Sequence, residues 1–303
     1  MRAKGAPPAE DHWLLLDAGN STVKLYCWPE ALPAPYLVSV VAAHEWRTSP
    51  ARERSDVIEW EGLVRGWLSH SAAHCLGLVW SSVVRPVTAM MEDMIDSLVT
   101  EPISRVPLFR VDHRAALGYA LDYPRPETIG ADRLACLSGL LATGLGLEQR
   151  YRIAVDLGTA VTVDGLEVGT PFAGGCIAIG LSASVESLRR TAPDLPPVVL
   201  PGEEDARRIA GIGNSTESAI MAGLLWGAAG QVAALVRQRM AAWGCLGREV
   251  EVVLTGGDAP RMEPYIRDLL SGLVESPQLV LDRDLLCRGL RSIGRRAVRL
   301  GRI

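Results

Sequence analysis

Two stretches of this chain share one pattern: an apolar run, an Asp-x-Gly turn and a second apolar run. They span residues 13–26 and 151–164. Their turns carry matching acids, glycines and small polar residues, which are Asp17, Gly19, Asn20 and Ser21 in the first copy and Asp156, Gly158 and Thr159 in the second. The two acids lie 156 − 17 = 139 residues apart, about one domain length. The repeat therefore predicts two β-hairpins, one in each half of an internally duplicated chain.

The composition of these turns suits phosphate chemistry. A glycine lets the backbone approach a polyphosphate closely and direct its N–H groups towards it. Thr159 and Thr162 add hydroxyl donors, and Asp156 supplies a hard oxygen for a phosphate-bound Mg²⁺. Two such hairpins facing each other would hold the phosphates and metal of a nucleotide. If either copy is considered alone, the alternative to a phosphate-binding hairpin is a hairpin with only a structural role, unrelated to the other copy.

Composition limits the class of protein. The 303 residues are enough for about two domains, and 48% hydrophobic with 22% charged residues is ordinary for a globular protein. The formal net charge of −4 and pI near 5.8 argue against nucleic acid or an anionic membrane surface as the main partner. We find no signal peptide and no uninterrupted apolar run of about 18 residues. Six scattered cysteines suit a reducing compartment, so we expect a cytoplasmic protein.

Alternating strand and helix patterns predict an α/β fold. After the first hairpin, the sequence predicts an edge strand at 36–41, a helix at 54–70, a buried strand at 76–82 and a helix from Pro86. Trp60 and Trp67 recur at helical spacing in the first of these helices. Met90 and Met91 lie on the apolar face of the second. We interpret all four as core residues rather than binding surfaces.

The second half continues the alternation. The sequence predicts helices at about 181–190 and from 216 to Trp243, a strand at 249–254 and a helical segment at 282–303. Gly174 and Gly175 are interpreted as a turn that allows close backbone approach. Thr255-Gly-Gly257 follows a strand, where α/β proteins bind ligands. Six arginines of the last segment are expected to form a solvated basic helix end, and they are Arg288, Arg291, Arg295, Arg296, Arg299 and Arg302.

The stretch 121–133 combines rigid prolines with an acid and a guanidinium. Residues Glu127 to Arg133 are predicted to form the beginning of a helix that continues through Leu141. Arg133 would bind a carboxylate in bidentate fashion, and Asp132 would accept a proton from a hydroxyl. The alternative is a capped helix whose first-turn acid only favours the helix dipole.

Six motifs in this order resemble those of the type III pantothenate kinases. They are Asp17-x-Gly-Asn-Ser, Gly130-Ala-Asp-Arg133, Asp156-Leu-Gly-Thr-Ala160, Gly174-Gly175, Thr191-Ala-x-x-Leu-Pro196 and Thr255-Gly-Gly257. The resemblance covers about Trp13 to Leu290, and six ordered motifs are specific where single ones are loose. It implies the sugar kinase/actin/heat-shock chaperone ATPase superfamily, with two ribonuclease-H-like (actin-like ATPase) lobes, each a mixed sheet flanked by helices. The expected domains are an extension at 1–12, an N-terminal lobe at 13–125 and a C-terminal lobe at 126–303, with a helix from about 127 to 148 at the junction.

The resemblance also implies an activity and its cofactors. The reaction is ATP-dependent phosphorylation of pantothenate to 4′-phosphopantothenate, the first step towards coenzyme A. It requires Mg²⁺ and a monovalent cation, K⁺ or NH₄⁺, in a homodimer whose interface completes the pantothenate site. By resemblance Asp132 is the catalytic base, and Asp17 and Asp156 are the metal residues. The nucleotide-binding positions are Asp17, Gly19, Asn20, Ser21, Lys24, Gly158, Thr159, Thr162, Thr255, Gly256 and Gly257. The pantothenate-binding positions are Tyr123, Gly130, Arg133 and, from the partner subunit, Thr191.

Two competing functions stay open from the sequence. One is a non-catalytic regulatory protein on the same fold, similar to the Bvg accessory factors, although acids at 17, 132 and 156 favour an enzyme. The other is a different small-molecule kinase or phosphatase of the superfamily, against which Tyr123 and Gly130-Ala-Asp-Arg133 argue. The sequence departs from the family pattern at Ile179-Gly180, where the family usually has Pro-Gly, and in its arginine-rich end.

Overall fold

A computed structural model describes most of the chain. The described residues are 7–43, 55–71, 73–98, 106–143, 150–245, 249–272 and 276–302. By Cα proximity the chain divides into two compact units. The first unit comprises Met1–Gly118, Pro124–Ala142 and Leu286–Ile303, and the second comprises Tyr119–Tyr123 and Thr143–Leu285. This grouping places 126–142 and 286–303 with the first unit, whereas the predicted lobes divide the chain by order at 125; those lobe boundaries stay a prediction.

The described residues alternate between strands and helices along the chain. The strands are β1 (His12–Ala18), β2 (Thr22–Pro29), β3 (Tyr36–Ala42), β4 (Cys75–Ser82), β5 (Leu108–Arg110), β6 (Tyr151–Leu157), β7 (Ala160–Glu167), β8 (Gly175–Ile179), β9 (Val250–Thr255) and β10 (Gln278–Leu281). The helices are α1 (Ser55–Ser71), α2 (Arg85–Leu98), α3 (Ala131–Ala142), α4 (Leu181–Thr191), α5 (Glu203–Ala206), α6 (Thr216–Trp243), α7 (Ala259–Ser271) and α8 (Leu285–Arg299).

The two units contain five-stranded mixed sheets of the same topology. The first sheet has the order β3-β2-β1-β4-β5, and the second has the order β8-β7-β6-β9-β10. In each, three antiparallel strands are followed by two strands parallel to the central one. The hairpins predicted at the two Asp-x-Gly turns are β1–β2 and β6–β7. The predicted α/β fold class is confirmed, and the matching strand order supports the predicted duplication.

The core of the first unit forms where apolar strand residues meet helices α1 and α2. β1 is central and almost uniformly apolar, which is typical of a strand buried on both faces. Leu14 and Leu16 pack in one cluster with Trp60 and Met91, all of them fully buried. The interpretation of Trp60, Trp67, Met90 and Met91 as core residues is confirmed, since none is more than 7% exposed.

Helix α6 closes the core of the second unit. Ser215 and Ser218 form a reciprocal capping box at its start, and Gly244 ends it in the left-handed conformation with φ 63°. Its buried residues recur at helical spacing and pack against β6, β7 and β9, and they are Ala222, Leu225, Ala229, Val232, Ala233, Val236 and Met240.

By length and composition, α6 is also long and apolar enough to cross a membrane. Its most apolar 18 residues have a mean hydropathy of 1.7, and 33% of them are buried. The core helix of a globular protein passes the same test. Because one face of α6 packs on the sheet, we interpret it as a core helix whose opposite face is unusually apolar for a surface.

Two local predictions are wrong. The helix expected from about residue 127 begins at Ala131 instead, because Ile129 is extended (φ −74°, ψ 129°) and residues 126–128 form a separate 3-10 turn. The expected end near 148 lies outside the described residues. Gly175 does not belong to a turn but starts strand β8, where it pairs with Asp164. A Cβ on Gly175 would lie 1.8 Å from Asp164 Oδ1, so the glycine admits that carboxylate rather than bending the chain.

The arginine-rich end is helical as predicted, but it is not simply a solvated basic end. Glu30 at the end of the first hairpin accepts hydrogen bonds from Arg291, at 2.8 Å, and from Arg295. Burial raises the pKa of Glu30, but the hydrogen bonds from these two arginines lower it by more, so the pKa is below its ordinary value. The Arg291 guanidinium also lies over the Trp28 ring, 4.5 Å from its centroid. These arginines anchor α8 to the first sheet.

Candidate functional site

In the first unit, a polar row crosses the sheet beside the first Asp-x-Gly turn. Asp17 on β1 is paired with Lys24 on β2 and with Ser81 on β4. Side chains at paired positions point to the same face of a sheet. The Ser81 hydroxyl, which is 1% exposed, donates to Asp17 Oδ1 at 3.1 Å. This bond fixes one oxygen of the carboxylate and leaves the other towards the turn.

The charges around Asp17 connect two predicted site residues. Burial raises the pKa of Asp17, Lys24 lowers it, the negative charge of Asp132 raises it, and the Ser81 hydrogen bond lowers it, for a net value of about 6. Two carboxylates that perturb each other lie in one electrostatic environment. The structure therefore brings together the predicted metal residue Asp17, the basic residue Lys24 and the predicted base Asp132.

Asp132 lies in the first turn of α3, behind Gly130. Its Oδ1 accepts a hydrogen bond from the backbone N–H of Arg133 at 2.7 Å. A Cβ on Gly130 would lie 2.5 Å from that same oxygen, so a glycine is needed at 130 for this rotamer. The Arg133 side chain is only 7% exposed. The helix N-terminus favours the anionic form of an acid at this position.

In the second unit, an equivalent row crosses the sheet beside the second Asp-x-Gly turn. Asp156 on β6 is paired with Thr162 on β7 and with Thr255 on β9. The turn closes with the Gly158 N–H donating to the Ala160 carbonyl at 3.2 Å. Asp156 thus has a hydroxyl residue on each side, whereas Asp17 has a lysine and a serine.

The turn after β9 comes very close to Asp156. Gly256 has φ +92°, a left-handed conformation that favours glycine. A Cβ there would lie 2.4 Å from Asp156 Oδ1 and 2.6 Å from the Leu157 carbonyl. The Asp258 N–H then donates to the Leu157 carbonyl at 2.9 Å, immediately before α7 begins. Gly256 and Gly257 therefore place a helix N-terminus directly beside the second hairpin, an arrangement that binds phosphates.

Gly180 supports the second turn from the other side. Its N–H donates to the Thr159 carbonyl at 3.0 Å, and a Cβ on it would lie 2.1 Å from the Gly158 carbonyl. Ile179 ends β8 in register with Ala160, and Gly180 precedes α4. The departure from the family pattern at Ile179 therefore leaves a regular strand-to-helix connection.

Comparison with known proteins decides the family. A family model described as type III pantothenate kinase matches residues 13–238. A type III pantothenate kinase from Chlorobaculum tepidum is 32% identical over 283 residues, which cover 91% of this chain and 93% of the relative. The chain belongs to the type III pantothenate kinase family. A second member, from Anaeromyxobacter dehalogenans, is 30% identical over 290 residues, covering 93% of this chain and 98% of the relative.

Solved structures show the fold class. A presumed sugar kinase from Cytophaga hutchinsonii aligns with a TM-score of 0.52 at 12% identity, covering 92% of this chain and 98% of the other. At that identity the similarity concerns the fold alone. It agrees with the two sheets of equal strand order described above.

Other site positions predicted from the family motifs are not members of these two rows of paired strand residues. Tyr123 stacks parallel to Phe172, with ring centroids 6.3 Å apart, and lies beside Gly174. Thr191 is exposed at the end of α4, where its hydroxyl donates to the Ser187 carbonyl at 2.8 Å. Asn20 and Ser21 are exposed in the first turn.

Sequence reasoning missed Ser81 among the residues of this type III pantothenate kinase. Ser81 lies 64 residues from Asp17 along the chain and becomes its neighbour only through the parallel pairing of β1 with β4. The available signal was a polar residue at the carboxyl end of a buried strand, the same position that Thr255 occupies in the second half. The sequence indicated a binding position at Thr255 because Gly256 and Gly257 follow it, whereas no glycine follows Ser81.

The acids present fit a hard divalent cation that binds together with phosphates. Asp17 Oδ1 holds the Ser81 hydrogen bond, while Oδ2 points towards the first turn, 3.9 Å from the position that a Gly19 Cβ would have. Among the described residues no group of three or more His, Cys, Asp or Glu side chains could hold a metal. Mg²⁺ uses one or two carboxylates plus substrate phosphates rather than a full protein cage, so this donor set suits it.

Proposed function

We propose that this protein transfers the γ-phosphoryl group of ATP to the primary hydroxyl of pantothenate, forming ADP and 4′-phosphopantothenate. Membership of the type III pantothenate kinase family supports the reaction. The observation that carries the proposal is the row Lys24–Asp17–Ser81 beside the first turn, where the Ser81 hydroxyl holds Asp17 Oδ1 and the charge of Asp132 raises the pKa of Asp17. Phosphoryl transfer needs positioning and charge neutralisation more than covalent catalysis, and this cluster combines an acid for a cation, a base and a lysine.

Asp132 acts as the general base in the proposed reaction. Its carboxylate orients the acceptor hydroxyl and accepts its proton, while Arg133 binds the carboxylate of pantothenate. Gly130 leaves room for the Asp132 rotamer, and Tyr123 lines the acceptor pocket. The Arg133 N–H that donates to Asp132 Oδ1 supports this role, because it fixes the carboxylate before substrate binds.

The two hairpins bind the nucleotide in the proposed reaction. Asp17 binds Mg²⁺, which supplies charge neutralisation at the transferred phosphoryl group when it is bound. Lys24 and the turn amides neutralise the remaining phosphate charge. In the second unit the carboxylate of Asp156, whose hard oxygen also suits Mg²⁺, is assigned to the monovalent cation, K⁺ or NH₄⁺, because Asp17 is assigned to Mg²⁺. The remaining nucleotide contacts are assigned to Gly19, Asn20, Ser21, Gly158, Thr159, Thr162, Thr255, Gly256 and Gly257.

The proposed assembly is a homodimer in which Thr191 reaches the pantothenate site of the partner subunit. The face of α6 opposite its buried stripe supports this proposal. Added Cβ atoms on Gly223, Gly227 and Gly230 would meet nothing within 4 Å, so a second helix has room to approach closely. Ile177 and Ile179 on the edge strand β8 are 64% and 50% exposed. Apolar side chains left uncovered in this way are typical of an interface.

The proposed location is the cytoplasm, where both substrates of this reaction would be available. All six cysteines are free thiols, four of them buried. Free thiols are the normal state of cysteine in a reducing compartment.

The experiment that tests the function is a coupled assay of ADP release with Mg²⁺ and K⁺ present. We expect ADP to appear only when pantothenate is added, and the phosphorylated product to be identified by mass. A reaction without pantothenate is the control for ATP hydrolysis. Nucleotide binding without pantothenate-dependent turnover would reject the kinase and favour the regulatory alternative, which the family comparisons do not favour.

The pH dependence gives a second check in the same assay. Because the ionised carboxylate of Asp17 binds Mg²⁺, kcat/KM should rise with pH through about 6, the raised pKa of that group, and level off above it. Asp17 and Asp132 perturb each other, so this limb belongs to the pair. Higher Mg²⁺ should move it to lower pH, since the metal competes with the proton. If the rise of kcat/KM with pH does not shift with Mg²⁺ concentration, a group other than Asp17 causes it.

A further inference from the structure

The proposed reaction gives no role to the arginine-rich helix α8, although Arg296 on this helix donates a hydrogen bond to the Leu117 carbonyl. It packs closely in the first unit because two of its positions are glycines. A Cβ on Gly289 would lie 1.8 Å from the Ala135 carbonyl of α3, and one on Gly294 would lie 2.5 Å from the Trp13 ring. Helix α8 therefore lies directly against α3, the helix that carries Asp132 and Arg133.

Arg296 of α8 and Ser138 of α3 donate hydrogen bonds to the same backbone carbonyl. The Leu117 carbonyl accepts hydrogen bonds from Arg296 Nη1 at 2.6 Å and from the Ser138 hydroxyl at 2.9 Å. Leu117 is 3% exposed and Ser138 is fully buried. A buried carbonyl with one charged and one neutral donor is held in both position and orientation. This oxygen thus joins α8, α3 and the segment that leads towards Tyr123.

Gly118, the residue after Leu117, leaves the space that the Arg296 guanidinium occupies. Gly118 has φ +87°, and a Cβ on it would lie 2.3 Å from Arg296 Cζ and 2.5 Å from Nη1. The guanidinium plane therefore occupies the volume that a side chain at 118 would need. A lysine at 296 could keep the charge but could not fill that volume, because its ammonium group is compact and lacks the extended planar fork of the guanidinium.

We propose that Arg296 is a positioning residue for the acceptor side of the site. Resting on the proposed function, it acts through the Leu117 carbonyl and Ser138 to fix α3, and with it Asp132 and Arg133. It also fixes Gly118, five residues before Tyr123. Arg296 touches no reacting atom in this role. A displacement of about 1 Å in a distant support can lower a rate as much as a hundredfold, so the expected effect is on turnover with pantothenate.

Glu30 provides a matched control on the same helix. It accepts hydrogen bonds from Arg291 and Arg295 and so anchors α8 to the first hairpin instead of to Leu117. Glu30→Gln weakens the docking of α8 without touching the Leu117 junction. Comparing it with Arg296→Met separates loss of the junction from general loosening of the helix.

The test measures kinetics and hydrogen exchange on the full-length protein. For Arg296→Met we expect kcat/KM for pantothenate to fall about tenfold to a hundredfold, with the Kd for ADP changed less than about twofold. Exchange should quicken in peptides covering 111–123 and 131–142. Ser138→Ala should act in the same direction more weakly, and Arg296→Lys should recover part of the activity. If Arg296→Met does not fold, these two variants carry the test.

Several outcomes would overturn the inference. Glu30→Gln with the same loss of kcat/KM and the same exchange pattern would show that only helix docking matters. Unchanged exchange in both peptides, or an equal loss of ADP binding, would also reject a role on the acceptor side. If the wild-type protein lacks turnover with pantothenate, the proposed function fails separately, and exchange alone decides whether Arg296 and Ser138 fix α3.

Discussion

Asp132→Asn is expected to fold and bind nucleotide normally while losing about 10²- to 10⁴-fold in kcat, the usual range for removal of a general base. The asparagine Oδ1 can still accept the Arg133 N–H that now reaches the carboxylate at 2.7 Å. The amide cannot accept the hydroxyl proton, so only the proton transfer is lost. Steady-state kinetics with pantothenate measures kcat, a titration with ADP measures nucleotide binding, and a thermal melt measures whether the variant folds normally.

Glu127→Gln is the matched control, because Glu127 lies in the 3-10 turn shortly before α3 and is exposed. The same change from acid to amide there should leave kcat unchanged. Near-wild-type kcat in Asp132→Asn would show that Asp132 is not the base. A loss of ADP binding in step with kcat would instead assign it to the nucleotide side.

The hairpins at 17 and 156 could be predicted because everything that forms them is local. A hairpin needs two apolar runs and a turn with the right residues, and all three lie within about fourteen adjacent positions. Duplication then followed from comparing two local patterns. The strand order of the sheets supports that comparison beyond the hairpins, since β4 with β5 and β9 with β10 also correspond.

The neighbours of the acids could not be predicted, because they depend on pairing between distant strands. Ser81 reaches Asp17, and Gly256 reaches Asp156, only after β4 and β9 have paired in one particular register. A shift of one residue would turn each side chain to the other face. The start of α3 was placed too early for a similar reason, since Ile129 is extended and 7% exposed, and its burial depends on packing with parts of the chain outside its own stretch.

The two polar rows differ in charge although they occupy equivalent positions. The first row is Lys24–Asp17–Ser81, and the second is Thr162–Asp156–Thr255. The first row pairs its central acid with a lysine, and the charge of Asp132 also raises the pKa of that acid. Equivalent positions of the duplicated fold thus differ in chemistry, since the strand neighbours of the central acid are a lysine and a serine in the first row and two threonines in the second. We place Mg²⁺ and the transferred phosphoryl group at the first row, which carries the lysine.

This asymmetry predicts the effect of Asp17→Asn. The asparagine can still accept the Ser81 hydroxyl, and the neutral amide avoids the burial of charge that raises the pKa of Asp17 to about 6. The protein should therefore fold with an unchanged or slightly higher Tm. A cation that neutralises transition-state charge contributes several kcal/mol, so kcat/KM should fall about a hundredfold or more at moderate Mg²⁺. Calorimetric titration of Mg²⁺ in the presence of ADP should show weakened metal binding.

Asp156→Asn is the comparison that separates the two rows. If the first row holds Mg²⁺ and the second holds the monovalent cation, Asp17→Asn should raise the Mg²⁺ concentration needed for half-maximal activity. Asp156→Asn should instead raise the requirement for K⁺. If Asp17→Asn raises the K⁺ requirement and Asp156→Asn raises the Mg²⁺ requirement, then Asp17 holds the monovalent cation and Asp156 holds Mg²⁺. Equal dependence of both variants on Mg²⁺ would mean that the acids share one divalent site, because only a shared metal would respond to the loss of either carboxylate.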